Sequence, residues 1–231
     1  MPFSSPQWQS LLRWRLGVSL LDIPLPVGTK CPKCFSPLEP YGDHFLSCTA
    51  LGTYQRHNAV RDAVAELYQQ AGFDVEREVA LPTSEDRPAD VFVHGLLAGT
   101  SAAVDVSVTH PLHSSCNLAE ACNGTALAAV VDRKKRMYQD RCTLAGWHFY
   151  AIVAETTGAW SKDAHHLMYQ LTSKLSMQKG APACDVGTQA WYKLSSALAL
   201  GISRQLASGI HACQQLLDQS EVLRGRSSAA P

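Results

Sequence analysis

Pro88-Ala-Asp-Val-Phe-Val93 and, one turn later, Ala102-Ala-Val-Asp-Val-Ser-Val108 are the stretches whose reading decides the fold. Both are short, rich in β-branched and aromatic residues, and separated by a glycine-containing turn around Gly95 to Gly99, so they predict two neighbouring strands. Working outward, Phe73-Asp-Val-Glu-Arg-Glu-Val79 alternates apolar and charged residues and predicts a strand before them. Trp147-His-Phe-Tyr-Ala-Ile-Val153 predicts an apolar fourth strand after them. A helix is expected from about Leu118 to Ala145, with Gly124 as a point of interruption and a basic stretch Arg133-Lys-Lys-Arg136 inside it. Upstream, Val60, Val64, Leu67 and Ala71 share one stripe of a helix that starts near Tyr54 and stops at Gly72. Trp8, Leu11, Leu12 and Leu16 predict a short amphipathic helix ahead of Gly17, and the segment from Lys162 to Arg224 predicts two or three helices broken near Gly180-Ala-Pro182. The result is an α/β chain, a mixed sheet flanked by helices, in three regions: 1–53, 54–160 and a C-terminal helical region, 161–231. Val91, Val93, Val104, Val106, Val108, Phe149 and Ile152 are its expected core.

Two aspartates interrupt the apolar strands. Asp90 and Asp105 each stand where an ionised carboxylate is costly without a partner, and a hairpin can bring them together. Carboxylates at close range raise each other's pKa unless a cation lies between them, and Mg²⁺, an oxygen-seeking ion, suits that role. The alternative is a pair of strand-end aspartates, or ion pairs with Arg77 or Arg87. On the preceding helix Asp62 and Glu66 are four residues apart and share a face, a mildly unfavourable like-charge pair that reads first as two ordinary exposed acids. His57 and His110 are marginal candidates, more often structural than catalytic.

Cys31-Pro-Lys-Cys34, followed by His44-Phe-Leu-Ser-Cys48, forms the second constellation. Two thiols two residues apart can grip an ion from a tight turn, and a histidine and cysteine four positions apart can close a tetrahedron from a short helix. Three sulfurs and one imidazole nitrogen suit Zn²⁺ in a structural site, with no position left open for water. The turn formers of Phe35-Ser-Pro-Leu-Glu-Pro-Tyr-Gly-Asp43 fit a loop folded around an ion. The alternative is three buried or oxidised cysteines and a chance histidine.

Composition sets the outer limits. With 231 residues the chain can build one substantial core, and Lys+Arg and Asp+Glu are equal at 20 each. Zero net charge argues against a general nucleic-acid coat, although a local basic groove remains compatible with it. A hydrophobic content of 46% is too high for a disordered chain. The N-terminus lacks a basic-then-apolar leader pattern and several thiols are committed to metal, so a reducing compartment is expected. Cys116, Cys122, Cys142, Cys184 and Cys213 have no mutual spacing that suggests a second site. No apolar run approaches the length of a membrane span, and no membrane partner is expected.

Taken in order, these motifs resemble the restriction-like, PD-(D/E)XK endonuclease region of site-specific non-LTR retrotransposons. The family places a Cys-Cys-His-Cys knuckle before the nuclease, as Cys31, Cys34, His44 and Cys48 do here, then an Arg-His-Asn-like helix start, matched by Arg56-His57-Asn58. A Pro-x-Asp strand (Pro88 to Asp90) and an Asp-Val strand (Asp105-Val106) follow. In the family the lysine migrates to the next helix, spaced from a tyrosine as Lys134 is from Tyr138. The resemblance covers roughly residues 25 to 160. It implies a restriction-endonuclease-like core that cleaves DNA with Mg²⁺ or Mn²⁺ held by Asp90, Asp105 and the Val106 carbonyl, Lys134 aligning the attacking water, and Asp62 assisting. It further implies a structural zinc, DNA as partner, and a nuclear location, with a cytoplasmic one as the alternative. Two departures stand out: Ala89 separates Pro88 from Asp90, and Ser107 occupies the usual lysine position. A non-catalytic nucleic-acid- or protein-binding module on a decayed nuclease scaffold is the alternative function. Lys135, beside Lys134, is the expected phosphate contact.

Overall fold

The structure, a computed structural model, describes residues 4–21, 28–82, 85–97, 99–112 and 123–227, with side chains to residue 218. Strands β1 (Val75–Val79), β2 (Ala89–Leu97) and β3 (Thr100–Thr109) form an antiparallel meander. β4 (His148–Glu155) lies parallel to β3, giving the order β1-β2-β3-β4. Parallel neighbours need a crossover, and a helix of residues Thr125–Leu144 supplies it. The chain is therefore a mixed α/β protein with a four-stranded mixed sheet flanked by helices.

In chain order the helices are α1 (Ser5–Arg15), α2 (Asp43–Ser47), α3 (Thr53–Gln70), α4 (Thr125–Leu144), α5 (Lys162–Lys179) and α6 (Ala183–Ser227). Gly124, in a left-handed conformation at φ 69°, precedes α4, so the glycine marks the start of the described helix. The expected beginning at Leu118, like Cys116 and Cys122, lies outside the described residues.

Register sorts the side chains onto two faces. Val91 pairs with Val104 and Phe92 with Ala103, while Ala103 and Asp105 pair with Phe149 and Ala151 of β4. Val91, Val93, Val104, Val106 and Ile152 are buried on one face. Phe92, Ala103, Phe149, Ala151 and Val153 form the other, packed with Cys142, Leu127, Val130, Val131 and Tyr138 of α4. Asp90 and Asp105 share the parity of Phe92 and Ala103, which places both carboxylates on the face that α4 covers. Val108 is half-buried and is not part of the core. It lies beyond the last β2–β3 pair, Val91 with Val104, where β3 keeps only β4 beside it.

The outer edge of β4 is closed by side chains at the start of α5. Ser161 Oγ accepts from Val153 N–H at 3.1 Å and donates to the Ala151 carbonyl at 2.8 Å, while Asp163 accepts from Ala151 N–H at 3.0 Å. An exposed strand edge is a template for unwanted pairing, and these contacts occupy it.

Residues 1–55 with 200–231 form one compact unit and residues 56–199 a second, so the helices expected as one region, 161–231, are divided between the two. In the first unit Gln205 Nε2 donates to the Phe45 carbonyl at 2.7 Å. Gly209 faces the Phe45 ring so closely that a Cβ there would lie 2.4 Å from it. The terminal part of α6 thus covers the segment that carries the Cys/His cluster.

Candidate functional site

Residues 29–38 fold into a narrow turn, with Lys30 bridged to Pro37, Cys31 N–H donating to the Ser36 carbonyl, and Phe35 N–H donating to the Cys31 carbonyl. This turn presents Cys31 and Cys34, and α2 presents His44 with Cys48 just past its end. One ligand atom from each of the four lies within 4.8 Å of the others, with Cys34 Sγ 3.3 Å from His44 Nε2. Glu39 holds the second half of the cluster in place. Its Oε2 accepts from Tyr41 and Gly42 N–H at 2.6 and 3.0 Å, and its Oε1 accepts from His44 N–H at 2.8 Å. A carboxylate at a helix N-terminus is favourable electrostatically, and here it also fixes the backbone of a ligand residue. The Ser36 side chain holds the Cys34 thiol down at about 6, whereas burial pushes Cys48 up to about 12. A buried thiolate needs a cation beside it, and the S₃N set could hold a metal such as zinc.

The carboxylate cluster lies where β2 and β3 part. Past the Val91–Val104 pair, the Asp90 side chain takes over from the backbone ladder, and its Oδ2 accepts from Val106 N–H at 2.7 Å. In an extended strand the N–H and carbonyl of one residue project toward the same edge, so the Val106 carbonyl belongs to the Asp90 side of β3. Asp105, next in the chain, is 3% exposed. Its Oδ1 meets Lys134 Nζ at 2.7 Å and its Oδ2 accepts from Ser107 Oγ at 3.3 Å. Burial raises the Asp105 carboxyl to about 6 against the opposing pull of Lys134, and Asp90 adds to the rise. Lys134 comes from α4 and lies 5.9 Å from the centre of the Tyr138 ring one turn on. The structure therefore brings Asp90, Val106, Asp105 and Lys134 to one place, with Ser107 beside Asp105 on the strand.

The start of α3 supplies the remaining neighbour. Arg56 is buried and donates from Nη2 to the Val108 carbonyl at 3.2 Å, which ties the helix to the end of β3. Burial lowers its pKa to about 10. One residue on, His57 Nε2 lies 3.5 Å from Asp90 Oδ1, and that contact raises the imidazole pKa against the effect of burial. Glu78 of β1 faces the same place, with a ligand atom within 4.8 Å of those of His57 and Asp90.

Other expected residues go elsewhere. Asp62 is held by Arg61 at 3.0 Å and Arg77 at 3.4 Å, and Glu66 pairs with Lys193 at 2.6 Å. The acid expected from α3 is thus engaged by Arg61 beside it on the helix and by Arg77 of β1, and His57 is the α3 side chain that meets Asp90. Arg77, offered as an alternative partner of Asp90, is the partner of Asp62 instead. Lys135 Nζ meets Asp163 at 2.9 Å, in a contact that joins α4 to α5. His110 is buried with Nδ1 2.7 Å from Thr156 Oγ1, a structural position. Glu78 and Glu39 were not anticipated: alternation reads Glu78 as an ordinary exposed strand residue, and Glu39 looks like one polar residue in a turn.

No family model matches the chain, and no curated protein matches it. Among the described residues no helix is long and apolar enough to cross a membrane.

Proposed function

We propose that the chain is a divalent-metal-dependent DNA endonuclease domain of retroelement origin, built on a restriction-like core and braced by a structural zinc at Cys31, Cys34, His44 and Cys48. The observation that carries this reading is the arrival of Lys134 from α4 at Asp105, 2.7 Å away, on a strand whose usual lysine position holds Ser107. A lysine supplied from the next helix stands in for one missing from the strand.

Asp90, Asp105 and the Val106 carbonyl offer an all-oxygen set that fits Mg²⁺ or Mn²⁺, and burial makes the ionised Asp105 carboxylate costly without a cation beside it. Such an ion, when bound, supplies Lewis acidity that makes water nucleophilic near neutral pH and offsets charge on the phosphodiester. Asp90 anchors the site to the backbone through Val106 N–H, which fixes the spacing of the two strands. Lys134, held at Asp105 by a 2.7 Å contact, would orient the attacking water and donate to a non-bridging phosphate oxygen. An ammonium can make both contacts at once, whereas a planar guanidinium is poorly shaped for them.

A second reading has one observation in its favour. Lys134 and Asp105 neutralise each other directly, as a purely structural buried pair would, and a non-cleaving nucleic-acid- or protein-binding module would have no need of a metal there. Nicking of supercoiled plasmid separates the two. Wild-type protein should nick in the presence of Mg²⁺ or Mn²⁺, and Asp90→Asn, which keeps an acceptor for Val106 N–H, should not. Equal nicking by both proteins would remove the carboxylates from the mechanism.

A further inference from the structure

Asp90 has two oxygens with different neighbours. Oδ2 is committed to Val106 N–H, on the Asp105 side, while Oδ1 looks toward His57 Nε2 at 3.5 Å. Glu78 completes a group of one imidazole and two carboxylates whose ligand atoms all lie within 4.8 Å of one another. This separation is what ligands on one ion show, because donors about 2.0–2.5 Å from a common centre lie roughly 3–5 Å apart. Each member is positioned independently. Arg56 ties the start of α3 to β3, Val106 N–H holds Asp90, and Arg61 donates to Glu78 Oε1 at 2.7 Å. A ligating carboxylate is commonly held by such an outer donor, so the guanidinium orients Glu78 without excluding an ion. Glu78 also has φ 56°, a left-handed conformation uncommon for a residue with a side chain, and the β1–β2 register, with Arg77 opposite Val91 and Val79 opposite Ala89, sets it across from Asp90. The Glu78 side chain is 43% exposed and the Asp90 side chain 13%, so the group is open to water on the Glu78 side and closed on the other.

We propose that His57, Glu78 and Asp90 form a second divalent-cation site, at the Asp90 Oδ1 that faces His57, that takes an imidazole-tolerant ion such as Mn²⁺ in preference to Mg²⁺. Mixed nitrogen and oxygen ligation selects against Mg²⁺, which favours oxygen and gives up its water reluctantly. The site goes beyond the nuclease reading and does not depend on cleavage. It requires only that the three side chains bind an ion together. Within the nuclease reading it makes Asp90 a shared ligand, so that occupancy on the His57 side adjusts the charge felt at the Asp105 side.

The test is pulsed electron paramagnetic resonance of Mn²⁺ added to zinc-loaded full-length protein, with Mn²⁺ affinity measured in parallel by calorimetry. Wild type should show ¹⁴N coupling from a directly bound imidazole. The coupling should disappear in His57→Gln, with Mn²⁺ affinity at this site falling about tenfold or more in both His57→Gln and Glu78→Gln. Both the coupling and the affinity should survive Asp105→Asn, which removes a ligand of the nuclease centre alone. No ¹⁴N coupling in wild type would show that His57 is only an ion-pair partner of Asp90 and would overturn the proposal. So would loss of the coupling in Asp105→Asn, because a single ion would then serve both sides. A protein that binds Mn²⁺ through His57 yet never nicks DNA would leave this site standing and defeat the nuclease reading alone.

Discussion

A carboxylate buried in a sheet face resists ionisation, and Asp105 shows the consequence. Its pKa rises from an ordinary 3.8 to about 6, with burial as the main cause and Lys134 as the main offset. The folded state therefore holds the Asp105 proton more tightly than the unfolded state does. Ionisation costs stability above pH 6, and the cost is relieved as pH falls from about 6 toward 3.8. Its full size is on the order of 3 kcal/mol. Asp105→Asn carries no such charge, so without added Mg²⁺ or Mn²⁺ it should gain most over wild type near neutral pH. The gap in urea midpoints should narrow as pH drops through 6. A gap that stays constant from about pH 5 to 8 would mean that Asp105 ionises in the fold as easily as in the unfolded chain.

At the scale of elements, Glu39 does for α2 what Arg56 does for α3: each ties down the start of a helix that carries a candidate ligand, His44 and His57. Glu39→Gln keeps the shape but loses the charge that satisfies three N–H groups, and zinc affinity should fall roughly tenfold, read by competition with a chromophoric chelator. Unchanged affinity would make Glu39 a turn residue only. This dependence also shows what the sequence could and could not convey. Strand and helix positions were legible because hydrophobic period is a local property, and the Cys/His cluster was legible because ligand spacing is local too. The acid expected from α3 was not. Asp62 and Glu66 lie on one helical face by spacing alone, but Arg61 beside Asp62 on the helix, Arg77 of β1 and Lys193 of α6 decide where each carboxylate goes, and two of those partners come from other elements. Glu78 was hidden for a different reason, since only the register of β1 on β2, with Arg77 opposite Val91 and Val79 opposite Ala89, sets it across from Asp90. Asp163 looks like a first-turn helix acid and is also the seal on the β4 edge.

For the whole molecule, the two compact units give zinc removal a defined signature. The first unit gathers residues 1–55 and 200–231, and the turn and short helix that carry the four Cys/His side chains have few backbone pairings of their own to replace the free energy of a bound ion. Chelation should raise amide hydrogen exchange across residues 29–51 and in α6 from residue 200 onward, while β2, β3 and β4 stay protected. Uniform loss of protection in the sheet, or no change around Cys31 to Cys48, would contradict a structural role for the metal. The central claim, however, is that a lysine delivered by α4 completes a cleavage centre on β2 and β3. Its most direct measurement is single-turnover cleavage of supercoiled plasmid with Mn²⁺ by wild type, Lys134→Ala and Lys134→Arg, with DNA affinity determined for each. The account predicts that both variants bind DNA within a few-fold of wild type and lose at least about a hundredfold in rate, as removal of a group acting in the transition state does. Cleavage by Lys134→Ala at the wild-type rate would contradict it.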